Sequence, residues 1–163
     1  MPHSHRSDGI IPVFGVLTCS STRSKDEDDS GRIIMSTLKK SGYDVKEYEV
    51  VRDDFNDISS KIRDMSSTCD IIIVNGGTGI TRFDVTIEAA RSVSEKELTG
   101  FAIQFQVLSM QEMGSASMLS RASGFIVNRK AVFCLPGSQN GVSLGMNKLI
   151  IPEIAHIMHE IRR

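Results

Sequence analysis

Residues 70–79 read Asp-Ile-Ile-Ile-Val-Asn-Gly-Gly-Thr-Gly, and this segment is the clearest indication of the fold class. Its four consecutive β-branched residues, Ile71–Val74, favour a strand that is buried on both faces, as the central strands of parallel sheets are. The glycines that follow predict a tight loop at the carboxyl end of that strand. Because open α/β sheets bind ligands beyond the carboxyl ends of their strands, we expect the functional site to lie at this loop.

The segments before this strand alternate between strand and helix patterns. Val13–Cys19 is a short apolar run that ends in a polar cluster, and Asp44–Val51 is a second predicted strand. The residues between them predict a helix that is capped at Asp29 or Ser30 and ends at Gly42.

A second helix is predicted after the second strand, with Asp53 or Asp54 as its cap. Its apolar residues recur at helical spacing: Phe55, Ile58, Ile62 and Met65. The resulting alternation, with turns of only a few residues, predicts an α/β fold. We expect a three-layer, doubly wound, mostly parallel sheet with helices on both faces.

The second half of the chain predicts further helices and a small hairpin. Helical patterns cover Thr86–Ser92 and Phe101–Glu112, and a last helix starts at Pro152. Phe125–Val127 and Ala131–Leu135 predict a hairpin-like strand pair.

The composition is typical of a globular domain, with 163 residues of which 40% are hydrophobic and 24% charged. There are 19 Lys and Arg residues against 20 Asp and Glu residues, and the net charge is −1, so no global field favours nucleic acid or an anionic membrane as a partner. No repeat or linker is present. We therefore expect a single domain over residues 10–163, preceded by a disordered tail over residues 1–9.

Cysteine usage and the apolar pattern bear on location. Cys19, Cys69 and Cys134 are far apart and odd in number, which indicates neither a disulfide framework nor a zinc ribbon. The apolar stretch Ile10–Leu17 is much shorter than the roughly 20 residues that span a bilayer. The sequence therefore predicts a cytoplasmic location.

The loop Asn75–Gly79 suits an anion such as phosphate. Its glycines let backbone amides approach a ligand, and the start of the following helix adds positive partial charge. A tight turn without a ligand is the alternative interpretation. The loop is neither a Walker A motif, which requires GxxxxGK[ST], nor a Rossmann GxGxxG motif, which follows the first strand.

Two aspartates are placed to reach this loop. Asp84 lies five residues beyond Gly79, and Asp53 ends the neighbouring second strand. A carboxylate beside a phosphate site repels the phosphate unless a divalent cation lies between them, so the pair indicates Mg²⁺. Each aspartate could instead cap the helix that follows it.

Two later motifs could also hold anions. Leu135–Ser138 ends a strand and could contact an anion, or form an ordinary β-turn with proline at its second position. Ser120–Arg121 offers a guanidinium that could grip phosphate or carboxylate with two hydrogen bonds, or could only solvate the surface.

The order and spacing of these motifs resemble the molybdopterin-binding domain of the MogA/MoaB group, which includes the corresponding domain of gephyrin. The resemblance extends over almost the whole chain and is carried by Asn75-Gly76-Gly77-Thr78-Gly79, Asp84, Thr86, Glu88, Ala89, Leu119-Ser120-Arg121, Leu135-Pro136-Gly137-Ser138, Ile151-Pro152 and His156. It implies Mg-ATP-dependent adenylylation of molybdopterin, which gives the AMP-activated pterin and pyrophosphate ahead of molybdate insertion.

The resemblance also implies roles for individual residues. Asp53 and Asp84 match its two catalytic aspartates and would bind Mg²⁺. The implied substrate- and nucleotide-binding residues are Ser20, Gly76, Gly77, Thr78, Gly79, Ser120, Arg121, Pro136, Gly137 and Ser138. The chain departs from the family pattern at three positions. Phe83 stands where an arginine is usual, and Arg82 could substitute for that arginine. Ile87 stands where a proline is usual, and Ser21 where an aspartate is usual.

Two functional hypotheses follow from the resemblance. One is a molybdopterin adenylyltransferase, and the other is a non-catalytic molybdopterin-binding or scaffold protein of the same pathway, which loss of the second-strand aspartate would mark. The resemblance further implies a homotrimer or a dimer of trimers, and hand-over of the product to a molybdate-inserting enzyme. Phe101, Phe105 and Leu108 form a helix face that either a neighbouring subunit or the chain's own sheet must cover.

Overall fold

Six strands form one sheet in the computed structural model, which describes residues 9–163: β1 (Phe14–Cys19), β2 (Val45–Val51), β3 (Ile71–Asn75), β4 (Lys96–Glu97), β5 (Ser123–Val127) and β6 (Lys130–Leu135). Their order across the sheet is β2-β1-β3-β6-β5-β4. Strands β2, β1, β3 and β6 are parallel, whereas β5 is antiparallel to both of its neighbours. The predicted mostly parallel sheet with its hairpin is confirmed. Apart from Gly9, the predicted tail over residues 1–9 lies outside the described residues.

Six α-helices cover the two faces of this sheet: α1 (Asp29–Lys40), α2 (Phe55–Met65), α3 (Thr86–Ser92), α4 (Thr99–Met113), α5 (Gln139–Leu144) and α6 (Ile151–Arg162). Helices α1, α4, α5 and α6 pack on one face, and α2 and α3 pack on the other. The predicted three-layer fold is therefore confirmed. Over residues 9–163, none of the helices has the length and apolarity needed to cross a membrane.

Strand β3 joins both halves of the core, as its sequence predicts. Ile71 and Ile73 pack with α1 and α6, while Ile72 and Val74 pack with α2 and α3. Successive side chains of a strand point to opposite faces, so an unbroken apolar run fills both layers. The glycine loop therefore starts from a fully buried strand that is paired on both sides.

The cap of α1 differs from the prediction. The cap is Asp28 rather than Asp29 or Ser30, and its carboxylate is completely buried. Its second oxygen accepts hydrogen bonds from the hydroxyls of Thr18 and Tyr48, each at 2.5 Å. A buried carboxylate requires such partners, and both come from strands that sequence spacing alone does not place beside the helix.

The last helical region also differs from the prediction. Helix α5 was not predicted, and it continues through a π-helical segment, residues 145–150, directly into α6. Pro152 therefore lies in the first turn of α6 and does not open an isolated helix. A π-helical turn immediately before a proline rearranges the hydrogen bonds at the place where the proline removes a donor.

The apolar face of α4 singled out from the sequence packs on the chain's own sheet. Phe105 is buried, Phe101 and Leu108 pack against the same core cluster, and the Phe101 ring lies 4.9 Å from the ring of Phe133. Of the two alternatives for this face, the structure thus shows the intramolecular one.

The three cysteines, Cys19, Cys69 and Cys134, are free and buried, which confirms the absence of a disulfide framework. Burial raises the pKa of Cys19 to about 12, and it also raises the pKa of Cys69. Both therefore remain protonated thiols at neutral pH.

Candidate functional site

A cleft of about 420 Å³ lies at the carboxyl ends of the parallel strands. Its walls come from the end of β1, the end of β2, the glycine loop after β3 and the loop after β6. The lining residues are Thr18, Cys19, Ser20, Thr22, Arg23, Asp53, Asn75, Gly76, Gly77, Asp84, Gly137 and Ser138. The fold thus brings both predicted aspartates and parts of both predicted anion loops into one cleft.

Five of the predicted binding residues do not line this cleft: Thr78, Gly79, Ser120, Arg121 and Pro136. Thr78 is buried in the loop. The Arg121 guanidinium lies behind the loop, where it bonds to backbone oxygens and to Glu88. In this structure, therefore, most Arg121 donors bond to acceptors within the chain rather than facing the cleft.

The carbonyl oxygens of the glycine loop are bonded from behind. Thr86 donates its hydroxyl to the Gly76 carbonyl at 2.8 Å and its amide to the Gly77 carbonyl at 3.1 Å. The amide of Arg121 donates to the Thr78 carbonyl at 2.9 Å.

The amides of Gly77, Thr78 and Gly79 donate to no acceptor among residues 9–163. A run of backbone amides without protein acceptors is the usual form of a phosphate-binding loop. The two glycines that turn the chain here, Gly76 and Gly77, have φ values of 90° and 67°, which side chains other than glycine rarely adopt. The backbone geometry therefore suits an anion.

The capping alternative fails for both aspartates. Helix α2 is capped by Asp54, whose carboxylate accepts from two amides of the first turn. Helix α3 has Val85 at its cap position and no side-chain cap bond. Asp53 and Asp84 are thus available for another purpose.

The two aspartates are held in the same way. Asp53 Oδ2 accepts from the amide of Ser21 at 2.9 Å and from its hydroxyl at 3.1 Å. Asp84 Oδ2 accepts from the amide of Thr81 at 2.9 Å and from its hydroxyl at 2.7 Å. In the described part of the chain, neither Oδ1 accepts a hydrogen bond. Each carboxylate is therefore fixed in place through Oδ2, and its Oδ1 remains able to bind a ligand or a metal ion.

This donor set fits a magnesium ion. Mg²⁺ binds hard oxygen ligands, commonly one or two carboxylates together with substrate phosphates and water. The Oδ1 atoms of Asp53 and Asp84 are carboxylate oxygens of this kind and could serve as two of the ligands. Residues 9–163 contain no group of three or more His, Cys, Asp or Glu side chains that could hold a metal. Affinity for the metal would therefore depend on phosphates brought by a ligand.

Sequence reasoning missed the polar floor of the cleft. The Asn75 amide nitrogen donates to the Thr18 hydroxyl at 2.8 Å, and that hydroxyl donates to buried Asp28. Thr18 and Asn75 are paired across β1 and β3. The sequence does contain a signal for this floor, because Thr18 and Asn75 are polar residues near the ends of two strands that are otherwise mostly apolar.

Arg82, which could substitute for the arginine usual at position 83, lies outside the cleft in this structure. Its guanidinium lies over the exposed Phe83 ring, 4.7 Å from the ring centroid, and the residue does not line the cleft. Arg23, which is not among the site residues predicted from the sequence, does line the cleft.

Comparison with known proteins gives one consistent family. The family profile described as a probable molybdopterin binding domain matches residues 15–156. The molybdenum cofactor biosynthesis protein B of Bacillus cereus is 43% identical over 151 residues, which cover 91% of this chain and 89% of that protein. The tungsten cofactor synthesizing protein MoaB from Pyrococcus furiosus has a TM-score of 0.85 at 36% identity, over 94% of this chain and 98% of that one. A crystal structure of molybdenum cofactor biosynthesis protein B gives a TM-score of 0.89 at 42% identity, with the same coverage.

Proposed function

The chain belongs to the molybdopterin-binding MogA/MoaB family of molybdenum cofactor biosynthesis proteins, and on that basis we propose that it adenylylates molybdopterin with Mg-ATP. In this reaction the pterin phosphate bonds to the α-phosphorus of ATP, and the bond from that phosphorus to pyrophosphate breaks. The observation that carries the proposal is that two carboxylates that cap no helix share one cleft with Gly76 and Gly77, which begin a loop whose amides from Gly77 to Gly79 have no acceptor among residues 9–163.

Both substrates carry phosphate, so the chain must hold two anions close together and in line. The glycine loop would supply donors on one side, where Gly77 lines the cleft and is followed by two further amides without an acceptor among residues 9–163. Ser138, which caps α5 through its oxygen at 3.1 Å from the Gly141 amide, keeps its hydroxyl hydrogen for a second anion. Burial raises the pKa of the Cys19 thiol in the cleft wall, so this thiol stays protonated at neutral pH.

Asp53 and Asp84 would hold Mg²⁺ through their Oδ1 atoms. When bound, the ion would neutralise the triphosphate and stabilise the charge that develops on the departing pyrophosphate. Ser21 and Thr81 orient the two carboxylates through paired amide and hydroxyl bonds. Ser21 therefore serves as a positioning residue at a place where the family pattern has an aspartate. Loss of the second-strand aspartate would mark a non-catalytic, molybdopterin-binding protein. This chain keeps that aspartate as Asp53, which favours the enzyme.

We expect Mg-ATP to bind this cleft. Isothermal titration should give one site per chain with Mg-ATP, weaker binding of ATP when EDTA removes the metal, and much weaker binding of adenosine, which lacks the phosphates that the loop amides would hold. Absence of heat at millimolar concentrations of folded protein and Mg-ATP would contradict the proposal. Equal binding of adenosine and ATP would also contradict the placement of the phosphates.

We further expect a homotrimer or a dimer of trimers. A second face of α4 carries exposed apolar side chains at helical spacing: Ile103 (64% exposed), Val107 (46%) and Met110 (55%). Apolar patches of this kind are commonly covered by another subunit. Light scattering should give a multiple of the 17.9 kDa chain mass.

The substitution Val107→Lys tests this face, since a charge placed in an apolar contact costs several kcal/mol and should shift the particle towards monomer. Ser36→Lys, which adds the same charge at an exposed position on α1, is the control and should leave the mass unchanged. A stable wild-type monomer would contradict the assembly.

We also propose that the protein is cytoplasmic and passes its product to a second enzyme. The free, buried cysteines support a cytoplasmic location, where thiols stay reduced. The AMP-activated pterin would pass to a molybdate-inserting enzyme.

A further inference from the structure

The Arg121 side chain makes contacts that a ligand-binding role does not explain. Its Nε donates to the Gly79 carbonyl at 2.9 Å, and its Nη2 donates to the Asp84 carbonyl at 3.1 Å. Its Nη1 pairs with one carboxylate oxygen of Glu88, and Nη2 lies 3.5 Å from the other. The side chain is about two-thirds buried, with 34% exposed.

These contacts hold both ends of the segment from Gly79 to Asp84. A guanidinium is planar and presents its donors in fixed directions, so it sets the distance between the two carbonyls that it binds. The backbone amide of the same arginine adds a bond to the Thr78 carbonyl. One residue therefore bonds three carbonyls of the loop and fixes the backbone of Asp84.

Glu88 fixes the guanidinium in turn. It lies on α3, and the Arg121 guanidinium lowers the pKa of its carboxyl group, so Glu88 remains ionised at neutral pH. The pair is nearly neutral as a unit. Arg121 consequently adds little net positive charge to the cleft.

We propose that Arg121 and Glu88 form a backbone clamp that holds the carbonyls of Thr78, Gly79 and Asp84 away from the cleft and leaves the amides of Gly77 to Gly79 for a phosphate. Arg121 is then a positioning residue that acts through the loop. Whether this phosphate belongs to ATP or to the pterin rests on the proposed function. The geometry of the loop does not depend on that identity.

The clamp and a direct ligand contact predict opposite results for Glu88→Gln. If Arg121 bound the anion, loss of the Glu88 charge would release a cation and tighten anion binding. If Arg121 is a clamp, loss of that charge loosens the guanidinium and weakens anion binding. The two roles also differ for Arg121→Lys, because a lysine keeps the charge but cannot bind two carbonyls and a carboxylate in one plane.

The test compares Arg121→Gln, Arg121→Lys and Glu88→Gln with the control Arg91→Gln. Arg91 forms a similar two-bond pair with Glu97, at 3.2 and 2.9 Å, but has no bond to the loop. Calorimetry with Mg-ATP and with inorganic pyrophosphate should show affinity about tenfold or more lower in the three clamp variants, as expected for lost hydrogen bonds to charged groups. The control should stay within about twofold of wild type.

Hydrogen exchange of the Thr81 and Asp84 amides gives a readout that needs no ligand. These amides bond to Asp84 Oδ2 and to the Thr81 carbonyl, respectively, within the clamped segment. Their exchange should be about tenfold faster in the clamp variants and unchanged in the control. If Arg121→Gln does not fold, Glu88→Gln provides the same comparison.

The two readouts separate failure of the clamp from failure of the proposed function. If the wild type binds neither Mg-ATP nor pyrophosphate, the proposed function fails, while faster exchange in the variants still supports the clamp. Unchanged exchange in all three variants overturns the clamp. Tighter binding of pyrophosphate by Glu88→Gln also overturns it, in favour of a direct contact.

Discussion

Replacement of either cleft aspartate by asparagine is expected to abolish adenylyl transfer while leaving the fold and molybdopterin binding nearly intact. In Asp53→Asn and Asp84→Asn the side-chain oxygen can still accept from Ser21 or Thr81, as Oδ2 does now. The charge on the other oxygen is lost. Since stabilisation of a phosphoryl-type transition state by a metal is worth several kcal/mol, we expect turnover to fall by about 10³-fold or more.

The chain offers a matched control one residue away from Asp53. Asp54→Asn makes the same chemical change at an exposed position whose side chain caps α2, and asparagine caps helices about as well as aspartate. This variant should keep wild-type turnover and stability. Formation of the AMP-pterin and the melting temperature are measured on the same samples. Near-wild-type turnover in Asp53→Asn or Asp84→Asn would falsify the role assigned to that residue.

The adjacent aspartates also show how far the sequence predicts the site. Alternation of short strands and helices placed Asp53 after the second strand and Asp84 in the loop after the third, and the sheet order brings them into one cleft. Spacing alone could not decide which member of the Asp53-Asp54 pair caps α2. The choice depends on the Ser21 loop, which lies 32 residues away in sequence and holds Asp53.

Arg121 illustrates a second limit of sequence reasoning. Its neighbour Ser120 and its own charge suggested that Arg121 binds phosphate. In the structure its guanidinium instead donates hydrogen bonds to the backbone carbonyls of Asp84 and Gly79, which are 37 and 42 residues away in sequence. Nothing local distinguishes an arginine that faces a ligand from one that lies behind the loop. The distinction depends on where α3 places Glu88, and therefore on tertiary packing.

Helix α4 shows the same limit for apolar faces. The sequence indicated one face, Phe101, Phe105 and Leu108, and the structure packs this face on the sheet. A second apolar face, with Ile103 and Val107, remains exposed. A helix that is apolar on more than one face does not reveal which face its own chain covers.

Gly76→Ala is expected to have the largest effect on stability. Gly76 has a φ of 90°, where a side chain costs about 1–2 kcal/mol. A Cβ at this position would also collide with the backbone carbonyl oxygen of Cys19. That carbonyl ends a fully buried strand in the middle of the sheet and has little room to move. Overpacking of this kind adds about 1–3 kcal/mol, so we expect the free energy of unfolding to fall by about 2–5 kcal/mol, and Mg-ATP binding to be lost as the loop shifts.

Gly42→Ala separates the two causes. Gly42 has nearly the same backbone conformation, with a φ of 86°, but a Cβ there meets no atom within 4 Å. This variant should therefore lose only the backbone part, about 1–2 kcal/mol, and should keep its affinity for Mg-ATP. Urea denaturation of both variants gives the difference in unfolding free energy, which is the contribution of the collision with Cys19. Equal losses in the two variants, together with unchanged Mg-ATP binding by Gly76→Ala, would show that the loop does not need its close approach to β1.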